Sequence, residues 1–351
     1  MGERISANEN KTSTKFHRPR KLTAVALFPV LQIAPTPLGH PARREITMKF
    51  GYLLLPAFLL AGTAAMAAAV TDVTVSRPMS FPESLTSTSD GTVYVGSMNL
   101  GEVYRALPGS RRATTWISKE RGGFGRVLGV LADARTNTLY VCDNNGDKAY
   151  LKTFSTRTAA LLKTYELPGG GFCNDIALRG NDAYITDTKG GRVLKLAAGT
   201  DALTVWYTND PSDPSLDGVV WKGDALYTNT YNGNHLIRIS LNADGTAGRD
   251  VNLATSMDIF QPDGMRLGPD GEILLVEGRG KDGNGRLDRV TMNGDSATIT
   301  VLRQGLMLPT AVTTVGATAL VLEAKLNYQR DPALKGKDPG TFTAYTVKLP
   351  K

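Results

Sequence analysis

Apolar and polar positions alternate along most of this chain in short runs, and one such phrase is written six times. Each copy opens with an apolar-rich run, passes through a polar turn, and returns about eleven residues later as a strand centred on Tyr or Leu. The copies are PESLTSTSDGTVYVG from Pro82, LGVLADARTNTLYVCD from Leu128, CNDIALRGNDAYITD from Cys173, LDGVVWKGDALYTN from Leu216, PDGMRLGPDGEILLVE from Pro262 and LPTAVTTVGATALVLE from Leu308. Successive steps are 46, 45, 43, 46 and 46 residues. Alternation with period two marks half-buried strands. A repeat of this length holds four short strands. Further strand material follows each copy, as in Val93-Tyr94-Val95, Glu102 to Arg105 and Ala113 to Trp116 of the first. Hairpin signals such as Asp90-Gly91, Asn232-Gly233, Asp244-Gly245 and Asp270-Gly271 separate the runs. No amphipathic helix stands out beyond the N-terminal region. The pattern predicts an all-β, six-bladed β-propeller over residues 70–351. A pair of stacked sheets is the fallback, and it leaves so regular a period unexplained. Ring closure needs one blade built from both ends of the chain, and Ala69 to Val75 with Phe342 to Leu349 supply that seam.

Charge changes the picture less than it first suggests. The net charge is +7 and the calculated pI is 9.3, which would suit a nucleic-acid partner. Residues 1–47, however, hold eight Lys/Arg against three Glu, so the excess sits upstream and the body is nearly neutral. No basic stripe remains to neutralise phosphates. Met48 opens MKFGYLLLPAFLLAGTAAMAAAV, with Lys49 as the positive start, an apolar run from Phe50 to Leu60, and the small-x-small site Ala65-Met66-Ala67. We read residues 48–69 as a secretory signal and 1–47 as an upstream extension preceding the true start. A rival reading makes Lys21 to Pro35 the export signal. Either way the body is exported, to the periplasm or beyond. The run is too short to favour a permanent membrane span. Two cysteines, Cys142 and Cys173, then face an oxidising compartment. They end and begin strands of neighbouring repeats, so a disulfide and a pair of buried thiols are both open.

Candidate chemistry comes from the second residue of each phrase: Glu83, Gly129, Asn174, Asp217, Asp263 and Pro309. Blades of a propeller are inserted in one sense, so these positions surround one mouth of the central channel. Three carboxylates and an amide converging there repel one another and raise each other's pKa values unless paired. A divalent cation relieves this, and hard oxygen ligands favour Ca²⁺, with Mg²⁺, Mn²⁺ and Zn²⁺ as the other candidates. The bland reading is that Asp, Asn and Gly merely begin strands.

The phrases FPESLTSTSDGTVYVG, CNDIALRGNDAYITD and QPDGMRLGPDGEILLVE resemble the blade motifs of the regucalcin/gluconolactonase family of metal-dependent sugar-lactone hydrolases. The resemblance spans the repeats as a pattern, through short motifs. It implies that Glu83 and Asp263 bind one divalent cation and that Asn174 lies beside the substrate or adds a ligand. The fourth-blade ligand, an Asn in the family, is Asp217 here, which keeps an oxygen donor and adds a negative charge. It also implies that the cation polarises a lactone carbonyl while Asp263 takes a proton from the attacking water. The expected partner is a small-molecule lactone acting on a monomer, with no membrane contact after signal removal. The alternative is a non-catalytic periplasmic binding or scaffold propeller with a structural metal.

Other residues bear on this reading. His17 and His40 lie in the leader, leaving His235 for the body. One histidine cannot supply the pair used by paraoxonase-like propellers, and His235 reads as a surface residue. Strictosidine-synthase-like propellers remain a further alternative. The second strands end at the same mouth with Asp143, Asp187, Asn229, Glu277 and Glu323, read either as groups behind the ligands or as ordinary polar strand ends. KDGNGRLD, from Lys281, misses the EF-hand spacing and reads as a hairpin turn.

Overall fold

The structure, a computed structural model, describes residues 69–279 and 284–350. The expectations for residues 1–47 and for the signal therefore lie outside the described residues, apart from Ala69. The described chain forms six four-stranded blades in antiparallel order. Their inner strands are Pro82–Ser87, Arg126–Asp133, Cys173–Arg179, Leu216–Lys222, Pro262–Leu267 and Pro309–Val315. The six-bladed propeller read from the repeat is the fold.

The seam is also where the two ends of the pattern placed it. Val73–Val75 pairs antiparallel with Thr343–Lys348 and becomes the outer strand of blade 6. The same strand runs parallel to the outer strand of blade 1 at Thr74 and Arg112. Asp72 adds a side-chain latch, accepting hydrogen bonds from the Thr346 backbone N–H and hydroxyl at 2.7 Å each. Closing the ring this way leaves neither terminal strand as a free edge.

Apolar clusters fill the gaps between neighbouring blades, one of them running through both the 6–1 and the 2–3 gaps. Blades 1 and 2 share Val103, Ile117, Val130 and Phe154, and blades 4 and 5 share Tyr227, Leu236, Met265 and Leu275. Between blades 3 and 4, Tyr184, Trp206 and Trp221 stack edge to face at 4.8–5.6 Å between ring centroids. Such geometry suits the ring quadrupoles and adds to the burial of large aromatic surface. Cys142 and Cys173 are joined by a disulfide between blades 2 and 3, with Cα atoms 5.1 Å apart. Beside it the Asn144 side chain both donates to the Cys173 carbonyl and accepts its N–H, each at 2.9 Å. The strand start that carries Asn174 is thus fixed twice. No helix among the described residues is long and apolar enough to cross a membrane.

One irregularity recurs in all six blades and decides where the site lies. Every inner strand carries a one-residue bulge near its start, just after the first paired residue in five blades and after the second in blade 2. The paired residues are Pro82, Val127, Cys173, Leu216, Pro262 and Pro309. A bulge leaves one residue unpaired and turns its side chain away from the ladder. The residue so released is the next one in each blade: Glu83, Leu128, Asn174, Asp217, Asp263 and Thr310. This corrects the sequence alignment in two blades, where Gly129 and Pro309 had been given that place. A slip of one residue in a strand moves a side chain to the opposite face.

Candidate metal and substrate site at the channel mouth

Glu83, Asn174, Asp217 and Asp263 all reach one mouth of the channel, as their register required. They are buried and line a cavity of about 170 Å³ together with Leu128. The backbone beneath them is held from the side by the second strand of the preceding blade. Thr186 Oγ1 donates to the Asp217 carbonyl at 2.6 Å, and Asn229 Nδ2 donates to the Asp263 carbonyl at 2.6 Å. Asn174 Nδ2 donates to Thr188 Oγ1 at 2.9 Å, and Thr188 in turn donates to the Leu216 carbonyl at 2.6 Å. Gly129, Gly218 and Gly264 follow the released residues because the next inner strand passes so close. A Cβ on them would stand 2.1, 2.4 and 2.6 Å from the carbonyl oxygens of Asn174, Asp263 and Thr310. Their lack of a side chain serves packing here.

The electrostatics of the ring follow from burial and like charge. Burial pushes the Glu83 and Asp263 carboxyls well above the usual carboxylate range, and the Asp217 charge raises both further. Asp217 is pushed up to about 7, first by burial and then by Asp175, while its hydrogen bonds to Asn174 and Asp263 pull the other way. Arg330 lowers all three.

Directly below the ring lies a pair that the sequence reading passed over. Asp175 takes both ends of the Arg266 guanidinium, at 2.8 and 3.0 Å, and accepts the Val219 N–H at 3.2 Å. Arg266 also reaches the Met265 and Val130 carbonyls at 2.7 and 3.3 Å. This buried bidentate pair ties blades 2, 3, 4 and 5 together across the channel. It separates the acidic mouth from a wider opening of about 360 Å³ at the other end, lined by Ile176, Val219 and Trp221. Between the pair and the ring remains a void of about 10 Å³, the size that admits one water.

Three further groups complete the mouth. Thr310, released by the bulge of blade 6, is buried and its Oγ1 has no protein partner. Tyr231 accepts a hydrogen bond from Arg330 Nη1 at 3.3 Å, and burial raises its pKa, so its hydroxyl keeps its proton at neutral pH. Arg126 stands over the Phe172 ring at 5.7 Å. Asp175 and Arg266 were legible as neighbours of Asn174 and of the PDG phrase. Tyr231, Arg126 and Arg330 carried no signal in the repeat.

The second-strand ends divide into two groups. Asn229 does stand behind a ring residue, through the Asp263 carbonyl. Asp143, Asp187, Glu277 and Glu323 do not line the cavity; each latches the loop that leads into its own blade. They accept the N–H groups of Gly125, Phe172, Phe260 and Met307 at 2.7, 2.7, 2.7 and 2.8 Å. Lys152 at 2.9 Å, Arg192 at 2.8 Å and Arg286 at 2.5 Å neutralise the first three. The reason is register: the partner of each first paired residue points back at its own strand entrance, whereas Asn229 and Thr186 sit one residue earlier and point toward the next blade. His235 is exposed, 3.4 Å from Asp213. Residues 280–283 of the KDGNGRLD segment lie outside the described residues.

The donor set suits a hard divalent cation, being three carboxylates with an amide and an unpartnered hydroxyl around one cavity. Among the described residues, no three Asp, Glu, His or Cys side chains are already drawn together as a finished coordination shell. Burial and like charge raise the pKa values of Glu83 and Asp263, a cost that a bound cation would relieve.

A six-bladed propeller with a buried acidic ring at one mouth is thus the class of protein the fold and site define. No protein-family sequence model and no curated protein sequence matches the chain. Solved structures do match in fold. The chain is similar to the calcium-binding protein regucalcin from Agrobacterium tumefaciens, with 18% identity, a TM-score of 0.56, and 78% of this chain and 93% of that one covered. It is similar to a luciferin-regenerating enzyme at 12% identity and a TM-score of 0.55, covering 77% and 92% of the two chains. It is also similar to virginiamycin B lyase from Staphylococcus aureus at 12% identity and a TM-score of 0.51, covering 80% and 99%. Proteins of such different descriptions share this fold, so the chemistry rests on the site.

Proposed function

We propose that this protein is an exported, divalent-cation-dependent hydrolase of small lactones. The observation that carries the reading is the acidic ring: Glu83, Asp217 and Asp263, from three separate blades, are released by equivalent bulges into one buried cavity beside Asn174. Glu83, Asp217 and Asp263 would hold the cation, with Ca²⁺ the first candidate by donor type. When bound, it supplies Lewis-acid polarisation of the lactone carbonyl.

The remaining steps belong to the chain's own residues. Asn174, anchored on Thr188, orients the substrate at the cavity wall. Asp263 takes a proton from a water that attacks the carbonyl carbon. Its backbone carbonyl is held by Asn229 and its carboxylate accepts the Gly264 N–H at 2.9 Å, which orients it. The ring C–O bond then breaks, and Asp263 returns the proton to the departing alkoxide. The product is the open hydroxy acid, with one water consumed. Tyr231 donates its hydroxyl hydrogen into the same cavity, where negative charge develops on oxygen. No Ser or Cys nucleophile is called on. The Cys142–Cys173 disulfide supports export, since such bonds persist in oxidising compartments.

The test measures bound metal and the hydrolysis of a panel of sugar and aliphatic lactones, in the wild type and in Asp263→Asn. We expect one bound divalent cation and a loss of at least a hundredfold in rate for the variant. A wild type that takes up no metal, or a variant of unchanged activity, would sink the assignment. Metal uptake with the whole panel untouched would favour a binding protein with a structural cation.

A further inference from the structure

Among the described residues, two arginines at the cavity have no acidic partner. Arg330 ends the short helix Asn327–Arg330, on the segment between the second and third strands of blade 6. Its hydrogen bond among the described residues is to Tyr231. Arg126 is the first residue of the inner strand of blade 2 and rests on the face of Phe172. Neither lies within 4 Å of a carboxylate among the described residues. Elsewhere around the channel arginines are paired: Arg266 with Asp175 at 2.8 Å, Arg192 with Asp187 at 2.8 Å and Arg286 with Glu277 at 2.5 Å. An Arg fork left without a planar acid partner beside a cavity is a ready binder for a carboxylate or phosphate.

Charge balance sharpens this. Three ionised carboxylates and one divalent cation leave a single negative charge at the mouth. Arg330 acts electrostatically on all three carboxyls, in each case favouring ionisation. With Arg330 and Arg126 counted, the loaded mouth carries one positive charge. A neutral substrate leaves that charge unanswered, whereas an anionic one offsets it, a carboxylate by one charge and a phosphate by about 1.5 to 2. The cavity of about 170 Å³ has room for roughly six waters' worth of substrate, enough for a small ring with one substituent. Met98, Leu128, Phe172 and Leu326 give it an apolar wall against which the ring can lie.

We propose that the substrate is a small anionic lactone, a ring ester bearing one carboxylate or phosphate, and that Arg330 and Arg126 hold the anionic group. This rests on the lactone reading above and narrows it. Arg330 does a second thing through the same contact. By donating to the Tyr231 oxygen it leaves the Tyr231 hydrogen free to point at the substrate. Hydrolysis still consumes one water and no other reactant, and the product leaves with one more negative charge than the substrate.

The experiment uses the Ca²⁺-loaded mature protein, with Arg330→Gln and Arg126→Gln as variants. Three lactones of matched ring size are compared: one neutral, one carrying a carboxylate, one carrying a phosphate. We expect the wild type to prefer an anionic member, and each variant to lower the anionic-to-neutral ratio of kcat/KM by 10- to 100-fold, the size of one charge-assisted hydrogen bond. The anion whose turnover falls most identifies the group recognised. A second readout needs no turnover: calorimetric titration of acetate and methyl phosphate into the loaded protein. At least one should bind the wild type and bind Arg330→Gln at least tenfold more weakly, while Ca²⁺ binds the variant more tightly because a neighbouring cation is gone. If no lactone is hydrolysed, the lactone reading fails and the titration alone decides the anion site. A wild type that prefers the neutral lactone, a ratio unchanged in both variants, or anion binding untouched by Arg330→Gln would overturn the proposal. So would equal slowing of all three lactones, which would assign the arginines to the carboxylate released by ring opening.

Discussion

Replacing Arg266 with methionine removes the cross-channel pair while keeping most of the side-chain volume. In the wild type Arg266 and Asp175 have side chains only 13% and 7% exposed. Arg266 makes two bonds to Asp175 and two to backbone carbonyls. After Arg266→Met, Asp175 is left with the Val219 backbone N–H, at 3.2 Å. A buried carboxylate stripped of its counter-ion costs about 3–5 kcal/mol. For a chain of this size each kcal/mol moves Tm by about 2–4 °C, so a fall on the order of 10 °C is expected at neutral pH. The assay is thermal unfolding followed by circular dichroism, in the presence of a chelator, on Arg266→Met, Asp175→Asn and the double variant. The double variant buries no unpaired charge and should recover most of the loss, so the two single effects will sum to far more than the double. There is a consequence upstairs as well. Arg266 favours ionisation of the Glu83 carboxyl against its other neighbours, so Arg266→Met should push the Glu83 pKa of the metal-free protein further up. A variant within about 1 kcal/mol of wild type, or a double variant no better than Arg266→Met alone, would refute the reasoning.

Two further outcomes follow from the ring itself. In metal-free protein Asp217 stands at about 7, above the ordinary 3.8. A folded pKa above the unfolded one stabilises below about pH 4 and is lost as the pH rises through about 7, a loss on the order of 4 kcal/mol for this group. Denaturant midpoints of the chelated wild type should therefore fall from pH 4 to pH 8, and Asp217→Asn should flatten the profile; a flat wild type speaks against the buried ring. Thr310 Oγ1 has no protein partner, so Thr310→Val should leave the metal-free fold within about 1 kcal/mol of wild type. The same change should slow the loaded protein about tenfold if the hydroxyl meets the water or substrate there, and Thr310→Ser should restore the rate. A large fall in the Tm of metal-free Thr310→Val would show that the hydroxyl is spoken for within the fold.

Much of the site was readable because repetition encodes position. Glu83, Asn174, Asp217 and Asp263 share one place in a repeated phrase, and a closed ring brings equal places together. The phrase was misaligned in blades 2 and 6, where its apparent start falls one residue late and one residue early. Period-two alternation is blind to such a slip when flanking residues on both faces are apolar, as Val127, Leu128, Val130 and Leu308 are. Asp143, Asp187, Glu277 and Glu323 were misjudged for a related reason. Sequence places a polar residue at a strand end without saying whether it turns to the channel or back to its own loop. Arg126, Tyr231 and Arg330 come from segments outside the repeat, and nothing local marks them as neighbours.

The sequence by itself determined the architecture of this protein: six units, four strands each, an acid or amide at one place in four of them, and two terminal strands that complete one blade between them. Local alternation and turn chemistry suffice for that, because a blade buries both faces and can do so only against its neighbours. The tertiary structure decided which residue each bulge releases into the channel. It also decided which carboxylate is paired, as Asp175 is with Arg266, and which are left to repel one another, as Glu83, Asp217 and Asp263 are. Those outcomes depend on distances between residues from 44 to 136 positions apart, set by closure of the whole ring and by no stretch of it alone.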